Sequence, residues 1–192
     1  MAESSTRISG LETLLKEAAA RGQPPVERWS PPYCGDIGMA IRADGTWLYQ
    51  GSPIGRMALV KLFASVLRRD SDGRHYLVTP AEKADVRVAD APFLAVEMEV
   101  RGAGRGQLLI FRTNVDDIVA CGPEHPLRFE PEPVSGGLKP YLLVRGRLEA
   151  LVTRALYVDL MEIAIGGDGE GGPIGIWSGG AFFSLEPPPS SL

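Results

Sequence analysis

The stretch WLYQGSPIGRMALV, residues 47–60, decides our interpretation of the fold. It contains a short strand of alternating apolar residues, a glycine turn, Arg56 and then apolar residues at helical spacing. Residues 141–158, YLLVRGRLEALVTRALYV, repeat that order with Arg147 after the turn. Because an internal repeat indicates the architecture before any motif does, we predict an α+β fold of two small domains with repeated strand–turn–helix motifs. The two stretches share few identical residues, so chance recurrence of a common β-then-α order remains the alternative to duplication.

The first predicted domain, residues 34–90, begins with alternating apolar residues on both sides of the turn Asp44-Gly45, a pattern typical of a β-hairpin. A run of apolar residues at helical spacing follows it and ends in two arginines. The predicted elements are a hairpin over 34–49, a helix over 54–69, and strands over 75–79 and 86–88.

The second predicted domain, residues 91–186, begins with two strands that a glycine-rich stretch joins. The predicted elements are hairpin strands over 93–100 and 107–112, strands over 115–120 and 141–144, a helix over 147–163, and strands over 174–177 and 181–185. Between 120 and 141 we expect a loop that carries Pro123, Pro126, Pro131 and Pro133, and residues 166–175 contain too much glycine for regular structure.

The two ends of the chain, residues 1–33 and 187–192, are predicted to lie outside the two domains. Residues 1–33 are predicted to form an amphipathic helix over 10–21 and then a proline-rich arm that runs extended, because each proline fixes φ and removes a backbone donor. Residues 187–192 are expected to be a frayed tail. We find no signal sequence and no apolar stretch approaching the roughly 20 residues that span a bilayer, so we expect a cytoplasmic protein without a membrane partner.

The charge balance argues against duplex nucleic acid as the partner. The 192 residues contain 24 acidic and 20 basic side chains, which leaves a net charge of −4. A basic footprint for a phosphate backbone is therefore missing, although a mononucleotide needs only a few local positive groups. Cys34 and Cys121 lack a CxxC or Cys/His neighbourhood, so we expect two free thiols.

We find no complete catalytic or metal-binding motif. His75 and His125 have no ligand-spaced neighbours, which argues against zinc and serine-hydrolase chemistry. The glycines of residues 102–106 join two strands, whereas a phosphate loop opens a helix. Asp70 and Asp72 resemble a calcium loop, but no glutamate closes it, and adjacent aspartates at 116–117 would face opposite ways on a strand. We therefore predict no enzyme, no metal site and no cofactor.

Arginines and aromatic residues near the glycine turns are the candidates for ligand binding. Arg56 and Arg147 are each predicted in the first turn of a helix, where the helix dipole disfavours a cation. Either an acid such as Asp36 or Glu149 compensates for this, or an arginine presents its planar fork to a phosphate or carboxylate. The aromatic residues either pack in the core or stack on a base. The candidate ligand-binding residues are Trp47, Tyr49, Arg56, Tyr141, Arg145, Arg147 and Trp177.

Ordered motifs along the chain resemble a bacterial family called domain of unknown function 1285. The motifs are Cys34-Gly-Asp-Ile37, Asp44-Gly-Thr-Trp47, Gly51-Ser-Pro-Ile54, Leu77-Val-Thr-Pro80, Asp90-Ala-Pro-Phe93, Asn114-Val-Asp-Asp117 and Trp177-Ser-Gly-Gly180. The resemblance covers about residues 30–186. It implies a repeated α+β core in two domains, the second loosely similar to pleckstrin-homology-like folds, with a cleft between the domains proposed to hold a nucleotide-like ligand in signalling.

The favoured hypothesis is therefore a non-enzymatic ligand-binding or signal-transduction protein that holds an anionic, nucleotide-like small molecule between its domains. The alternative is a protein–protein interaction module without a small-molecule ligand, whose partner the sequence does not identify. An enzyme with a perturbed carboxylate is the least favoured of the three hypotheses.

Overall fold

The computed structural model describes residues 24–133, 135–166 and 172–186. Backbone contacts divide the chain into two compact units, Met1–Asp90 and Ala91–Leu192. The described residues form fifteen strands and two short α-helices, so this part of the chain is mostly β-sheet and more β-rich than the predicted α+β fold. The helix predicted over residues 10–21 and the tail predicted over residues 187–192 lie outside the described residues.

The described residues of the first unit, 24–90, form a six-stranded sheet and one α-helix. Its elements are a 3-10 helix η1 (Val26–Arg28), β1 (Tyr33–Ile41), β2 (Trp47–Tyr49), β3 (Ser52–Pro53), α1 (Met57–Ser65), β4 (Leu67–Arg69), β5 (His75–Val78) and β6 (Lys83–Val88). The strand order is β3-β2-β1-β6-β5-β4. The central strands β1 and β6 are parallel, and every other pair in this sheet is antiparallel. The predicted hairpin of β1 and β2 is confirmed.

The core of the first unit lies between α1 and one face of this sheet. The helix buries Val60, Phe63 and Ala64, and the Phe63 ring stacks on the fully buried Trp47 at a centroid distance of 6.5 Å. The predicted helix over 54–69 is correct only in its middle. Residues 54–56 precede the helix, and residues 67–69 form β4 because pairing with β5 satisfies their backbone groups.

The second unit holds a six-stranded and a three-stranded sheet. Its elements are β7 (Phe93–Arg101), a 3-10 helix η2 (Gly104–Gly106), β8 (Leu108–Thr113), β9 (Ile118–Ala120), β10 (Leu127–Pro131), β11 (Leu138–Arg145), β12 (Leu148–Val152), α2 (Arg154–Glu162), β13 (Ile165–Gly166), β14 (Ile174–Ser178) and β15 (Ala181–Ser184). The strand orders are β10-β11-β12-β7-β8-β9 and β13-β14-β15. The predicted hairpin of β7 and β8 is confirmed, as is the final hairpin of β14 and β15.

Three predicted segments of the second unit are wrong. The helix over 147–163 begins only at Arg154, because residues 148–152 alternate between buried and half-buried and pair with β11 and β7. The expected proline loop contains β10, and Pro131 is tolerated because it ends an edge strand of the sheet. The strand predicted over 115–120 begins at Ile118, after a turn in which Asp116 has a φ of 67°.

The two large sheets share one strand order. In each sheet, the first three strands along the chain form one antiparallel half, and the last three strands form the other half. The two halves meet at the centre, where the first and sixth strands pair in parallel. This correspondence matches β1 with β7 and β6 with β12, whereas the repeat inferred from the sequence matched β2 with β11. The inferred match is wrong because α1 lies between the two halves of the first sheet, whereas α2 follows the last strand of the second.

Candidate functional site

The aromatic residues predicted on β2 serve packing rather than an open site. Trp47 is fully buried against Phe63. Tyr49 is half-buried, and its hydroxyl accepts a hydrogen bond from Nε2 of Gln50 at 3.3 Å. A base could not stack on Trp47 without displacing the core of the first unit.

The two arginines predicted at helix starts occupy different structures. Arg56 is the exposed N-cap residue of α1, with β-region backbone angles. Arg147 is exposed in the turn between β11 and β12, so the helix-dipole argument does not apply to it. The acids named as their partners pair elsewhere, since Asp36 lies 3.8 Å from Nε of Arg87 and Glu149 binds Arg128.

Tyr141 and Arg145 lie on β11 but have different partners. The Arg128 guanidinium lies 4.3 Å from the centre of the buried Tyr141 ring. Arg145 forms an ion pair with Asp117, and its guanidinium lies 5.0 Å from the centre of the Phe93 ring. The guanidinium groups of Arg128 and Arg145 are therefore both already in contact with side chains of the second unit.

Trp177 belongs to a segment that fastens the small sheet to β8. Its ring lies 5.2 Å from that of Phe182, and its carbonyl oxygen accepts a hydrogen bond from Nε2 of Gln107 at 2.8 Å. The next residue, Ser178, accepts from the backbone N–H of Leu109 at 2.9 Å and donates to the carbonyl oxygen of Cys121 at 2.7 Å. These contacts give the Trp177-Ser-Gly-Gly180 motif a structural role.

A different group of side chains in the first unit combines burial, charge and one exposed ring, that of Tyr33. Residues alternate along β6, so Ala84 and Val86 enter the core while Asp85 and Arg87 point to the opposite face of the sheet. Asp36 on β1 and Tyr76 on β5 are the register partners of Asp85. We call this group the Asp85 site, and its members are Tyr33, Asp36, Arg74, Tyr76, Asp85 and Arg87.

An irregular stretch of β1 positions Asp36 in this site. The pairing of β1 with β6 shifts between Asp36 and Met39, and Gly38 has a φ of 80°. Asp36 Oδ1 accepts a hydrogen bond from the Gly38 N–H at 2.7 Å, which holds the bulged backbone. A Cβ at Gly38 would also lie 3.1 Å from Cγ of Gln50, so glycine suits both the dihedral angle and the space. Bulges of this kind re-aim side chains and occur often beside functional sites.

Asp85 holds two exposed groups at once. Its Oδ2 accepts a hydrogen bond from the Tyr33 hydroxyl at 2.5 Å. Its Oδ1 forms an ion pair with Nη2 of Arg74 at 2.8 Å, although the angles of that contact are not those of a hydrogen bond. The Asp85 side chain is 11% exposed and that of Arg74 is 58% exposed. The carboxylate thus lies beneath the surface, and the guanidinium lies on it.

Hydrogen bonding keeps the two phenols of the site protonated. The bond to Asp85 is the largest cause that raises the pKa of Tyr33. The bond from Tyr76 to Asp72 Oδ2, at 2.6 Å, and the burial of the ring raise the pKa of Tyr76 to about 12. The Tyr76 bond in turn lowers the pKa of Asp72. These groups are suited to hydrogen bonding and ring contacts rather than to proton transfer near neutral pH.

A neighbouring cluster fastens the proline-rich arm to the sheet. The buried Arg68 donates from Nη1 to the carbonyl oxygens of Val26 and Trp29 at 2.7 and 2.8 Å. Its Nε donates to Asp70 Oδ1 at 2.6 Å, and Lys83 Nζ reaches Asp70 Oδ2 at 3.1 Å. Burial opposes the ionisation of Asp70, but these two cations outweigh it and lower the pKa. The arm contains η1 where the sequence predicted only extended chain.

The described residues contain neither a cluster of metal ligands nor a membrane-spanning helix. Within residues 24–133, 135–166 and 172–186, no group of three or more His, Cys, Asp or Glu side chains is arranged to hold a metal ion. Neither α-helix in that part of the chain is long and apolar enough to cross a bilayer.

None of the six residues of the Asp85 site was among the predicted ligand-binding residues, and the sequence interpretation named Asp36 only as an ion-pair partner. A usable signal was present, since Lys83, Asp85 and Arg87 alternate with apolar residues along one strand. Recognition of the site also required the parallel register of β1 with β6, which joins distant segments and which no local pattern specifies.

The fold and these sites define a β-rich protein of two units, each with a six-stranded sheet centred on a parallel pair. The chain belongs to the DUF1285 family. Residues 24–91 match a family model described as domain of unknown function (DUF1285), N-terminal domain. Residues 92–185 match one described as protein of unknown function (DUF1285), C-terminal domain. Membership in the family that the sequence motifs resemble is therefore confirmed.

Solved structures support the same conclusion. A DUF1285 family protein from Silicibacter pomeroyi DSS-3 is 48% identical, with a TM-score of 0.80, over 90% of this chain and 93% of that chain. A DUF1285 family protein from Shewanella baltica OS155 is 29% identical, with a TM-score of 0.52, over 66% of this chain and 91% of that chain. No curated protein matches the chain.

Proposed function

We propose that the protein is a non-enzymatic binding protein, and that the Asp85 site holds an anionic, nucleotide-like small molecule. The observation that carries the proposal is the pairing of one buried carboxylate with two exposed groups, the Arg74 guanidinium and the Tyr33 phenol. An oriented guanidinium can form charge-assisted hydrogen bonds with a phosphate, and an oriented ring offers a surface on which a base can stack.

The layering of charge favours an anion at this site. Asp85 is nearly buried, whereas the side chains of Arg74 and Arg87 are 58% and 70% exposed. Arg87 Nε lies 3.8 Å from Asp36, which is a loose ion pair that a ligand phosphate can replace at little cost. A ligand approaching this face therefore meets the Arg74 and Arg87 guanidinium groups and the half-exposed Asp36 carboxylate, while the Asp85 carboxylate lies beneath them.

The Tyr33 ring supplies the aromatic part of the site. It is 54% exposed, and it meets the Tyr76 ring edge to face at a centroid distance of 6.3 Å. The hydroxyl bond to Asp85 and this contact fix the ring, so little rotamer entropy remains to be lost on binding. Arginine and tyrosine together favour a ligand that has both a phosphate and a ring.

Isothermal titration against a panel of mononucleotides and dinucleotides tests the proposal. We expect binding of at least one member, weakened about 10- to 100-fold by Arg74→Ala, because a hydrogen bond to a charged group contributes roughly 1.5–3 kcal/mol. Tyr33→Ala should weaken binding more than Tyr33→Phe if stacking dominates. Arg101→Ala is the matched control, since Arg101 is also exposed and paired with an acid, Glu99.

Two results would overturn the proposal. One is a panel in which no nucleotide binds the folded protein. The other is binding that Arg74→Ala and Arg87→Ala leave unchanged, and loss of that binding in Arg147→Ala would direct attention to the residues first predicted from sequence. A signalling role and a pleckstrin-homology-like second unit are further parts of the proposal, and their support is the family resemblance alone.

A further inference from the structure

Two exposed arginines of the Asp85 site lie opposite each other on neighbouring strands. His75 on β5 pairs with Val86 on β6 in antiparallel register. One residue further along that register, Arg74 lies opposite Arg87. Both belong to the face that also carries Asp85, because side chains two positions apart on a strand point the same way. Residues in this relation have Cβ atoms about 4.5–5.5 Å apart, so the two guanidinium groups can reach one ligand together.

The charges around this arginine pair favour a ligand with two negative groups. Like charges directly opposite each other on a sheet repel. Each arginine offsets that repulsion with its own carboxylate, since Nη2 of Arg74 lies 2.8 Å from Oδ1 of Asp85 and Nε of Arg87 lies 3.8 Å from Oδ2 of Asp36. A guanidinium has five N–H donors, so a contact at one nitrogen leaves others able to bind a phosphate oxygen. A ligand with one phosphate for each arginine would offset the same repulsion from the solvent side.

The hydroxyl of Tyr33 links the aromatic ring of the site to one of the two arginines. That hydroxyl donates to Oδ2 of Asp85 at 2.5 Å, and Arg74 contacts Oδ1 of the same carboxylate. Arg87 contacts Asp36 instead. In a nucleotide the first phosphate follows the base and the sugar, so a base stacked on Tyr33 would direct this phosphate to Arg74. The second phosphate would then fall to Arg87.

We propose that the Asp85 site binds a nucleoside diphosphate, with the α-phosphate on Arg74 and the β-phosphate on Arg87. This inference rests on the proposed function and adds to it the length of the phosphate chain. The β-phosphate displaces the Asp36 carboxylate from Arg87, because a loose and exposed ion pair contributes little. Asp85 stays in place, because its other oxygen accepts the hydrogen bond from Tyr33.

Isothermal titration of the full-length protein with the monophosphate and the diphosphate of each of the four common ribonucleosides tests this inference. For the nucleoside that binds best, we expect the diphosphate to bind about 10- to 100-fold more tightly than the monophosphate, because the second phosphate adds a charge-assisted hydrogen bond. Arg87→Ala should remove this preference by weakening the diphosphate alone, whereas Arg74→Ala should weaken both nucleotides. Arg101→Ala, which removes an exposed arginine paired with Glu99, is the matched control and should change neither affinity.

A second variant tests the same contact through a gain of affinity. Asp36→Asn keeps an Oδ1 that can accept the Gly38 N–H, but it removes the charge that competes for Arg87. We expect the diphosphate to bind up to about fivefold more tightly and the monophosphate to bind as before. If nucleotides bind but the diphosphate has no advantage, or if Arg87→Ala leaves that advantage intact, the inference is overturned and the proposed function stands. If none of these nucleotides binds, both are overturned.

Discussion

Replacing Ser178 with alanine should destabilise the second unit by about 2–6 kcal/mol. The hydroxyl is fully buried, and it serves the Leu109 N–H and the Cys121 carbonyl at 2.9 and 2.7 Å. Alanine would leave two buried backbone groups without partners, and each such loss costs roughly 1–3 kcal/mol. The hydroxyl is small, so the cavity adds little to this sum.

Calorimetry and hydrogen exchange together measure this effect. A loss of that size lowers the melting temperature of a unit of this length by about 10 °C or more. Exchange of the Leu109 amide should accelerate most, because Ser178 is its acceptor. Ser184→Ala is the control, since that hydroxyl accepts from the Glu186 N–H at 3.1 Å in a partly exposed position. Equal melting temperatures for the two variants would refute the assigned role of Ser178.

Three further outcomes are expected. In urea unfolding, Gly179→Ala should destabilise the protein more than Gly180→Ala. Both glycines have positive φ, but only at Gly179 would a Cβ meet the Cys121 carbonyl oxygen, at 2.8 Å. Equal losses of stability would contradict the steric argument. Arg68→Ala should release the proline-rich arm to proteolysis and cost about 1–3 kcal/mol, because it removes the donor to the Val26 and Trp29 carbonyl oxygens while Asp70 keeps Lys83. An unchanged digestion pattern would contradict this role. At pH 8 a thiol reagent should modify the exposed Cys34 and spare Cys121, whose burial raises its pKa to about 12; rapid reaction of both would contradict it.

The Cys121 thiol also predicts a direction for alkaline stability. Its folded pKa lies above the unfolded value of about 8.5, so the unfolded chain loses this proton first as the pH rises. Its stabilising contribution is complete below that value and declines as the pH rises toward the folded pKa. Cys121→Ser, compared with the natural sequence from pH 7 to 10, should reduce this slope, and an unchanged slope would exclude the thiol as its source.

The sequence was informative wherever one local period dominated. The hairpin of β1 and β2 could be predicted because its apolar residues alternate on both sides of Asp44-Gly45. Residues 147–163 could not be read correctly, because Leu148 and Leu151 fit a helical spacing while Leu148, Ala150 and Val152 fit the period of a strand. Pairing with β7, more than fifty residues earlier in the chain, decides between the two.

The candidate site shows the same limit. An aromatic residue two positions from a glycine looks alike in sequence whether it enters the core, as Trp47 does, or stays exposed, as Tyr33 does. The site forms only when β1 pairs with β6, because that pairing brings Tyr33 beside Lys83 and Asp36 beside Asp85. Family membership could be predicted from the sequence, because the order of long motifs along the chain can be recognised without knowing which side of a sheet each side chain faces.

The central parallel pair of each large sheet also sets the order in which these units can be completed during synthesis. The strand Tyr33–Ile41 can form its parallel pair only after Lys83–Val88 has been synthesised, and Phe93–Arg101 only after Leu148–Val152. Until the later strand leaves the ribosome, the earlier strand presents an open backbone edge to any other nascent chain. The first unit can close before the second has all its strands, so vectorial synthesis keeps two similar sheets from exchanging their halves.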